Sequence, residues 1–285
     1  MSVLKVAAAQ MPCATGLTDD SIARHLAMID DARTKGVDVL LFPELSLTGY
    51  AGTPDLLALA RPARAPELAL LAAAAGPMTV AVGFIEEGPA AQFYAAQAML
   101  CRGEVLHVHR KINLAGYGRL EEPKHFGRGQ NIGTVRVRDQ WSAAVLICAD
   151  LWNPALPWLA ALHGATLLLV PAASSLEAMA PGFDNPGGWD LALRHTALTY
   201  GVPVVFANHC GAHSDGRFWG GSRILDADGN DRGRAAAEPE LVIAEIDYGS
   251  VRAARTRLPT VRDADPRFVR AELERLMQVN GARMH

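Results

Sequence analysis

The chain has little that would hold it together covalently or direct it to a surface. Only four cysteines occur in 285 residues, Cys13, Cys101, Cys148 and Cys210. They are too sparse and irregular for a disulfide framework, and no Cys-x-x-Cys pair marks a zinc site, so they read as reduced thiols and no metal is expected. No stretch approaches the roughly 18 uninterrupted apolar residues of a membrane span. No basic segment leads into an apolar run at MSVLKVAAAQMP, which reads as a first strand, so a soluble, cytoplasmic protein is expected. A long Lys/Arg cluster is also missing and the formal charge is -3, which argues against nucleic acid or an acidic membrane as partner. Linkers rich in Pro, Gly and Ser are absent as well. Although length weakly suggests two domains, residues 1–285 therefore read as one, with 267–285 a C-terminal helical segment.

What is present is apolar: half of the residues, enough to bury a large core. Strand-like and helical runs alternate. Residues 4–10 read as a strand, and 19–35 as a helix with Ile22, Leu26, Ile29 and Arg33 at helical spacing, Thr18 as cap and Gly36 as stop. Val37 to Phe42 form an apolar strand of the kind covered on both faces. A helix over 66–75 and the strand MTVAVGFI follow, then a hairpin about Arg102-Gly103-Glu104. Residues 112–133 form a loop with five glycines, long enough to be functional. SAAVLIC is a further buried strand. It leads into a helix with Asn153 as cap, Pro154 in its first turn and Gly164 beyond its end. TLLLVP, a helix over 187–200, PVVFANH, GSRILDADG and ELVIAEID continue the pattern. PRFVRAELERLMQV closes it as an amphipathic helix with Phe268, Leu273 and Leu276 on one side.

Three residues stand where an apolar strand gives way to a turn: Glu44 in LLFPELSLTGY, Lys111 in HVHRKINLAGYG and Cys148 in AVLICADLWNP. A carboxylate, an ammonium and a thiol are the parts a nucleophilic site for splitting an amide requires: proton carrier, oxyanion partner and attacker. Each alone has a plainer reading, as a loop carboxylate, a surface charge and a small core hydrophobe. The last is the reading given to Cys13, Cys101 and Cys210. Cys148 differs in lying between a buried strand and a turn, with Asp150 two residues on.

Taken together, FPELSLTGY, RKINL and CADLWNP, in this order and with VAAAQMP, GATLLLVP, VPVVFANHCG, FWGGS and AEID around them, resemble the nitrilase superfamily of carbon-nitrogen hydrolases, in its amidase-like branch. The resemblance implies a four-layer α-β-β-α sandwich with the site at the sheet ends and no cofactor. It implies Glu44 as general base, Cys148 as nucleophile and Lys111 beside the oxyanion. A second glutamate, Glu122 with Glu121 as competitor, would orient Lys111. The loop LAGYGRLEEPKHF is similar to that of the glutaminase domains of NAD synthetases, but the chain ends without a synthetase module, so a stand-alone amidase acting on a small amide is expected. The Ala149 N–H would be a second oxyanion donor, and Tyr50, Tyr117, Trp152 and Trp189 are candidates to line the substrate pocket. A nitrilase, an N-carbamoyl amide hydrolase and a catalytically silent binding protein are the alternatives. The superfamily resemblance further implies a homodimer or larger homo-oligomer that meets partly through the C-terminal helix.

Overall fold

The computed structural model describes residues 2–50, 54–213 and 216–283, with the side chains of 280–283 excepted. The first part of the chain runs β1 (Val3–Pro12), α1 (Asp19–Thr34), β2 (Val39–Leu41), α2 (Leu56–Leu59), α3 (Pro66–Ala75), β3 (Thr79–Glu87), β4 (Phe93–Cys101) and β5 (Glu104–Arg110). The middle holds β6 (Val135–Arg138), β7 (Trp141–Val145), α4 (Ala155–Leu162), β8 (Leu167–Ala172), α5 (Asn185–Tyr200) and β9 (Val204–His213). β10 (Gly216–Trp219), β11 (Arg223–Leu225), β12 (Asp231–Arg234), β13 (Glu240–Asp247), α6 (Tyr248–Arg257) and α7 (Pro266–Arg283) complete it.

The strands form two halves, β5-β4-β3-β2-β1-β13 and β6-β7-β8-β9-β11-β12, joined where the end of β1 pairs with β9 at Met11–His209. Side chains alternate across a strand, and here both faces are apolar. Leu4, Val6 and Ala8 of β1 point into one core with Val39, Leu41, Ala143, Val145, Leu167 and Leu169, which lies between the halves. Ala7 and Ala9 point the other way, onto Ile29 and Ala32 of α1 and Leu68, Leu71 and Ala75 of α3. In the second half, Ala144, Leu168, Val170 and Phe206 meet Leu156 and Ala160 of α4 and Trp189, Leu193 and Ala197 of α5. The result is the four-layer α-β-β-α arrangement. Strands β1, β2 and β3 run parallel, and the β4–β5 hairpin turns back twice, so the carboxyl ends of β2 and β5 share one edge. Those of β7 and β8, parallel to each other, form the second half's contribution.

Local signals explain most elements, and several differ in detail from the patterning. Thr18 caps α1, accepting from Ser21 N–H at 3.1 Å while the Ser21 hydroxyl takes the Thr18 N–H. Of the expected stripe on α1, Ile29 is buried and Ile22 and Leu26 are half-buried against the same core, while Arg33 is exposed; Ser21, His25 and Ala32 are the other fully buried positions. For His25 the reason is polar: its Nε2 lies 3.0 Å from the Ser46 hydroxyl, so a histidine has a partner inside the core. The β4–β5 hairpin turns through Arg102 (φ 52°) and Gly103 (φ 82°), as expected for a two-residue turn. Helix α4 begins at Ala155 with Pro154 as cap residue, while the Asn153 side chain accepts from Ala155 N–H at 3.1 Å. Helix α5 starts at Asn185, two residues before the expected 187, because Asp184 caps it. On α7, Phe268, Leu273, Leu276 and Met277 are exposed. Among the described residues no helix is long and apolar enough to cross a membrane.

Candidate active site

Glu44 leaves β2 in a turn that runs directly over β3. At Gly83 a Cβ would stand 2.3 Å from Leu45 N and 2.5 Å from Pro43 O, so only glycine lets the turn come so close. Leu45 takes φ 50°, and the Ser46 hydroxyl accepts from Gly83 N–H at 3.3 Å. Lys111 sits one residue past β5, with its N–H on Ala95 O at 2.8 Å and its carbonyl on Gly129 N–H at 2.8 Å. Gly129 is the second obligatory glycine, since a Cβ there would lie 2.0 Å from Arg110 O. The long loop therefore folds back onto the lysine.

Cys148 opens a 3₁₀ turn, Cys148–Asp150, with φ 45°. A non-glycine residue in that region costs about 1–3 kcal/mol, a cost the surroundings must impose. They do so through Asp150, whose N–H bonds Ile147 O at 2.9 Å while its carboxylate takes Ile147 N–H at 3.0 Å. The turn's own bonds begin at Asp150 N–H, which leaves the Ala149 N–H ahead of the first of them.

These turns bring four side chains together. Lys111 Nζ donates to Glu44 Oε1 at 2.6 Å and to Glu122 Oε1 at 2.7 Å. Glu44 Oε2 accepts from Ala173 N–H at 3.0 Å, just past β8, and the Cys148 thiol lies beside the Glu44 carboxyl, close enough for each to shift the other's titration. Glu122 Oε2 accepts from Ala115 N–H at 2.8 Å, and Tyr50 donates its hydroxyl to Glu122 Oε1 at 3.0 Å. All of these groups are buried except Cys148, which is half-buried. Glu121, the competing carboxylate, instead pairs in solvent with Lys124 at 2.6 Å.

Burial and charge set the protonation states. Burial would push the Lys111 ammonium down, but the Glu122 and Glu44 carboxylates beside it overrule that and hold it well above its ordinary range. Burial raises Glu44 above the usual carboxylate value, partly offset by Lys111. Cys148 is pushed well up, first by burial and then by the Glu44 charge. The resting site is thus a neutral thiol facing a carboxyl of increased basicity, with a permanent cation alongside.

The tyrosines and tryptophans divide. Tyr50 belongs to the cluster through Glu122; Tyr117 is exposed as a residue, yet its hydroxyl is raised first by desolvation and next by the charge of Cys148, which places it near the thiol. Trp189 is fully buried, its indole N–H donating to the Ser174 hydroxyl at 2.9 Å, and it packs in the α4–α5 core. Trp152 lies edge-on to Trp189 at 5.2 Å and lines a groove of about 240 Å³ with Pro154, Pro157 and His195. That groove contains none of the four clustered residues. Beside Tyr117, a cavity of about 520 Å³ is lined by Gly118, Arg119, Leu176, Glu177, Met179 and Phe183. Its lining also contains none of the four clustered residues, but Gly118 and Leu176 follow closely in sequence on Tyr117 and on Ala173, whose N–H reaches Glu44. Composition and spacing gave no sign of the Ala173 N–H, because a backbone donor carries no residue identity. Among the described residues, no group of three or more His, Cys, Asp or Glu is arranged to hold a metal ion.

Residues 5–256 match the carbon-nitrogen hydrolase family model. The chain is 30% identical over 253 residues to the glutamine-dependent NAD(+) synthetase of Thermotoga maritima, covering 87% of this chain and 42% of the synthetase. It thus spans less than half of that relative's length. It is 26% identical to the N-carbamoylputrescine amidase of Solanum lycopersicum, covering 93% of each chain. Among solved structures, a carbon-nitrogen hydrolase from Helicobacter pylori G27 superposes with a TM-score of 0.82 at 20% identity, over 95% of this chain and 98% of that one.

Proposed function

The chain belongs to the carbon-nitrogen hydrolase family, and from that premise we propose that it hydrolyses a small amide through a thioester on Cys148. The observation that carries this reading is the buried Lys111 ammonium held between Glu44 and Glu122, with the Cys148 thiol beside the Glu44 carboxyl. In the first step the thiol gives its proton to Glu44 as sulfur bonds the carbonyl carbon and the oxygen becomes an alkoxide. Lys111 stays protonated across the working pH range, so with the Ala149 N–H it receives that charge without reorganising. The alkoxide then collapses, the carbon-nitrogen bond breaks, and Glu44 passes its proton to the departing nitrogen. Water attacks the thioester, again losing a proton to Glu44, which returns it to the sulfur. Glu122 and Tyr50 hold Lys111 in place, and the acyl part of the substrate occupies the cavity beside Tyr117.

An amide is favoured over a nitrile because Glu44 is placed to protonate a leaving nitrogen, and because relatives named for an amidase and for glutamine dependence share the family. Product analysis on matched amide, nitrile and ureido compounds tests it. Ammonia or amine plus acid from the amide alone is expected; turnover of the nitrile or ureido compound alone would replace the reading.

Two further results are expected. The rate should fall on the acid side as Glu44 gains a proton and can no longer accept one from the thiol. Because burial raises Glu44, that limb should lie above the ordinary glutamate value of 4.5 in a pH profile of kcat/KM. Glu122→Gln should lower kcat by about 100-fold, whereas Glu121→Gln, altering an exposed carboxylate, should leave it unchanged; equal effects would misplace the loop assignment. We also propose a homo-oligomer in the cytoplasm with the exposed α7 stripe as a contact between copies. Light scattering on a chain cut before residue 267 should show a smaller assembly.

A further inference from the structure

Asp150 lies two residues past Cys148 and is fully buried. An ionised carboxylate offers about four lone-pair directions, and each of them is used. Oδ1 accepts from Ile112 N–H at 3.0 Å and Asn113 N–H at 2.7 Å. Oδ2 accepts from Ile147 N–H at 3.0 Å and lies 3.0 Å from Nε2 of His109. Since a carboxylate can only accept, the ring proton sits on Nε2. His109 is itself buried on β5, two residues before Lys111.

The donors have a pattern. Three of them bracket Lys111 in sequence, at 109, 112 and 113, and the fourth immediately precedes Cys148. One side chain therefore ties the segment that carries the ammonium to the turn that carries the thiol. His109 is still on β5, but Ile112 and Asn113 lie past its end at Arg110, and Ile147 lies past the end of β7 at Val145. No ladder bond fixes one against the other, and the Asn113 amide adds only a 3.4 Å contact to Ala149 O.

We propose that Asp150, held in place by His109, is a positioning residue that sets the separation of the Lys111 ammonium from the Cys148 sulfur. The inference rests on the roles given to those two groups above. Asp150 touches no substrate in this scheme. Its effect is transmitted through geometry, and a displacement of the cation by about 1 Å is enough to cost about 100-fold in rate.

The test uses Asp150→Asn, His109→Gln and His109→Ala in the full chain. An asparagine places an N–H₂ group where the carboxylate accepted, so two donors lose their acceptor. Turnover of Asp150→Asn should fall about 100-fold with KM little changed. The second readout needs no substrate: the pH dependence of Cys148 alkylation by iodoacetamide, followed on its own peptide by mass spectrometry. The titratable groups that act on the thiol are Glu44, Lys111, Glu122, Tyr50 and Tyr117, and of these only Lys111 favours the thiolate. Moving the lysine away should shift the alkylation midpoint to higher pH, whereas a purely structural role would lower thermal stability and leave the midpoint in place. His109→Gln, which keeps an N–H donor, should lie between wild type and His109→Ala. A wild-type midpoint and kcat in Asp150→Asn would overturn the proposal. If that variant does not fold, wild-type behaviour of both His109 variants would overturn it. A Cys148→Ala protein that still turns over would instead sink the nucleophile assignment, a separate outcome.

Discussion

Cys148→Ala should abolish hydrolysis, with kcat lowered by at least about 10⁴-fold, while the protein stays folded and binds substrate. The loss is large because no other group in the cluster can form the acyl intermediate. Glu44 and Glu122 are already engaged by Lys111, and the remaining cysteines are elsewhere: Cys210, for example, is buried and its thiol is pushed up to about 11 by burial. Structure should survive because alanine meets the same backbone requirement at φ 45° and removes only one heavy atom from a half-buried side chain, a change of about 1 kcal/mol. The checks are product formation under single-turnover conditions, thermal unfolding, and calorimetric titration of the amide. Activity near wild type would remove the thioester from the mechanism.

Lys111→Met should do more than silence the enzyme. Methionine fills a similar volume but leaves Glu44 Oε1 and Glu122 Oε1, now 2.6 and 2.7 Å from the same nitrogen, facing each other without a cation. Breaking a buried pair by removing one partner costs about 3–5 kcal/mol, far more than an exposed, solvent-screened pair such as Glu121 with Lys124 contributes. The deficit should depend on pH with a definite sign. A carboxyl whose folded pKa is raised binds a proton more readily folded than unfolded. That contribution is fully present below the unfolded value, 4.5 for Glu44, and is lost as pH rises through the folded one. The variant should therefore be closest to wild type in acid and furthest from it at neutral pH, as urea unfolding at a series of pH values will show. Turnover should fall about 100- to 1000-fold, the loss expected for one oxyanion donor. Full turnover would contradict the role given to the lysine, and an unchanged urea midpoint would contradict the burial argument.

Much of this arrangement is legible in the residues alone. Apolar runs bounded by Gly and Pro announce the main strands and helices because burial on both faces of a strand demands uninterrupted apolar side chains, and here β2 and β8 supply them. Glu44, Lys111 and Cys148 are visible for the complementary reason: charged or reactive groups at strand ends interrupt a pattern that packing would otherwise continue. Glu122 was singled out through the resemblance; in the fold it is buried against Lys111, whereas Glu121 is exposed.

The tertiary structure decided what depends on pairing across distance. The buried face of α1 includes His25 beside the expected Ile29 because His25 meets Ser46, 21 positions away, and hydrophobic periodicity cannot see a polar residue that finds its partner in the core. Trp189 and Tyr50 are both aromatic residues near functional segments, yet one packs in the core under α5 and the other holds Glu122; only the neighbours of each ring separate the two uses. The short strands β6, β10 and β12 and the helix α6 lack a strong local pattern and are set by what they dock against. Asp150 is the clearest case: its four bonds reach residues 3, 37, 38 and 41 positions away, and a backbone N–H looks the same in every sequence. A sequence specifies which side chains exist and how they alternate, whereas hydrogen-bond partners and buried charge pairs are properties of the folded geometry that the whole core holds in place.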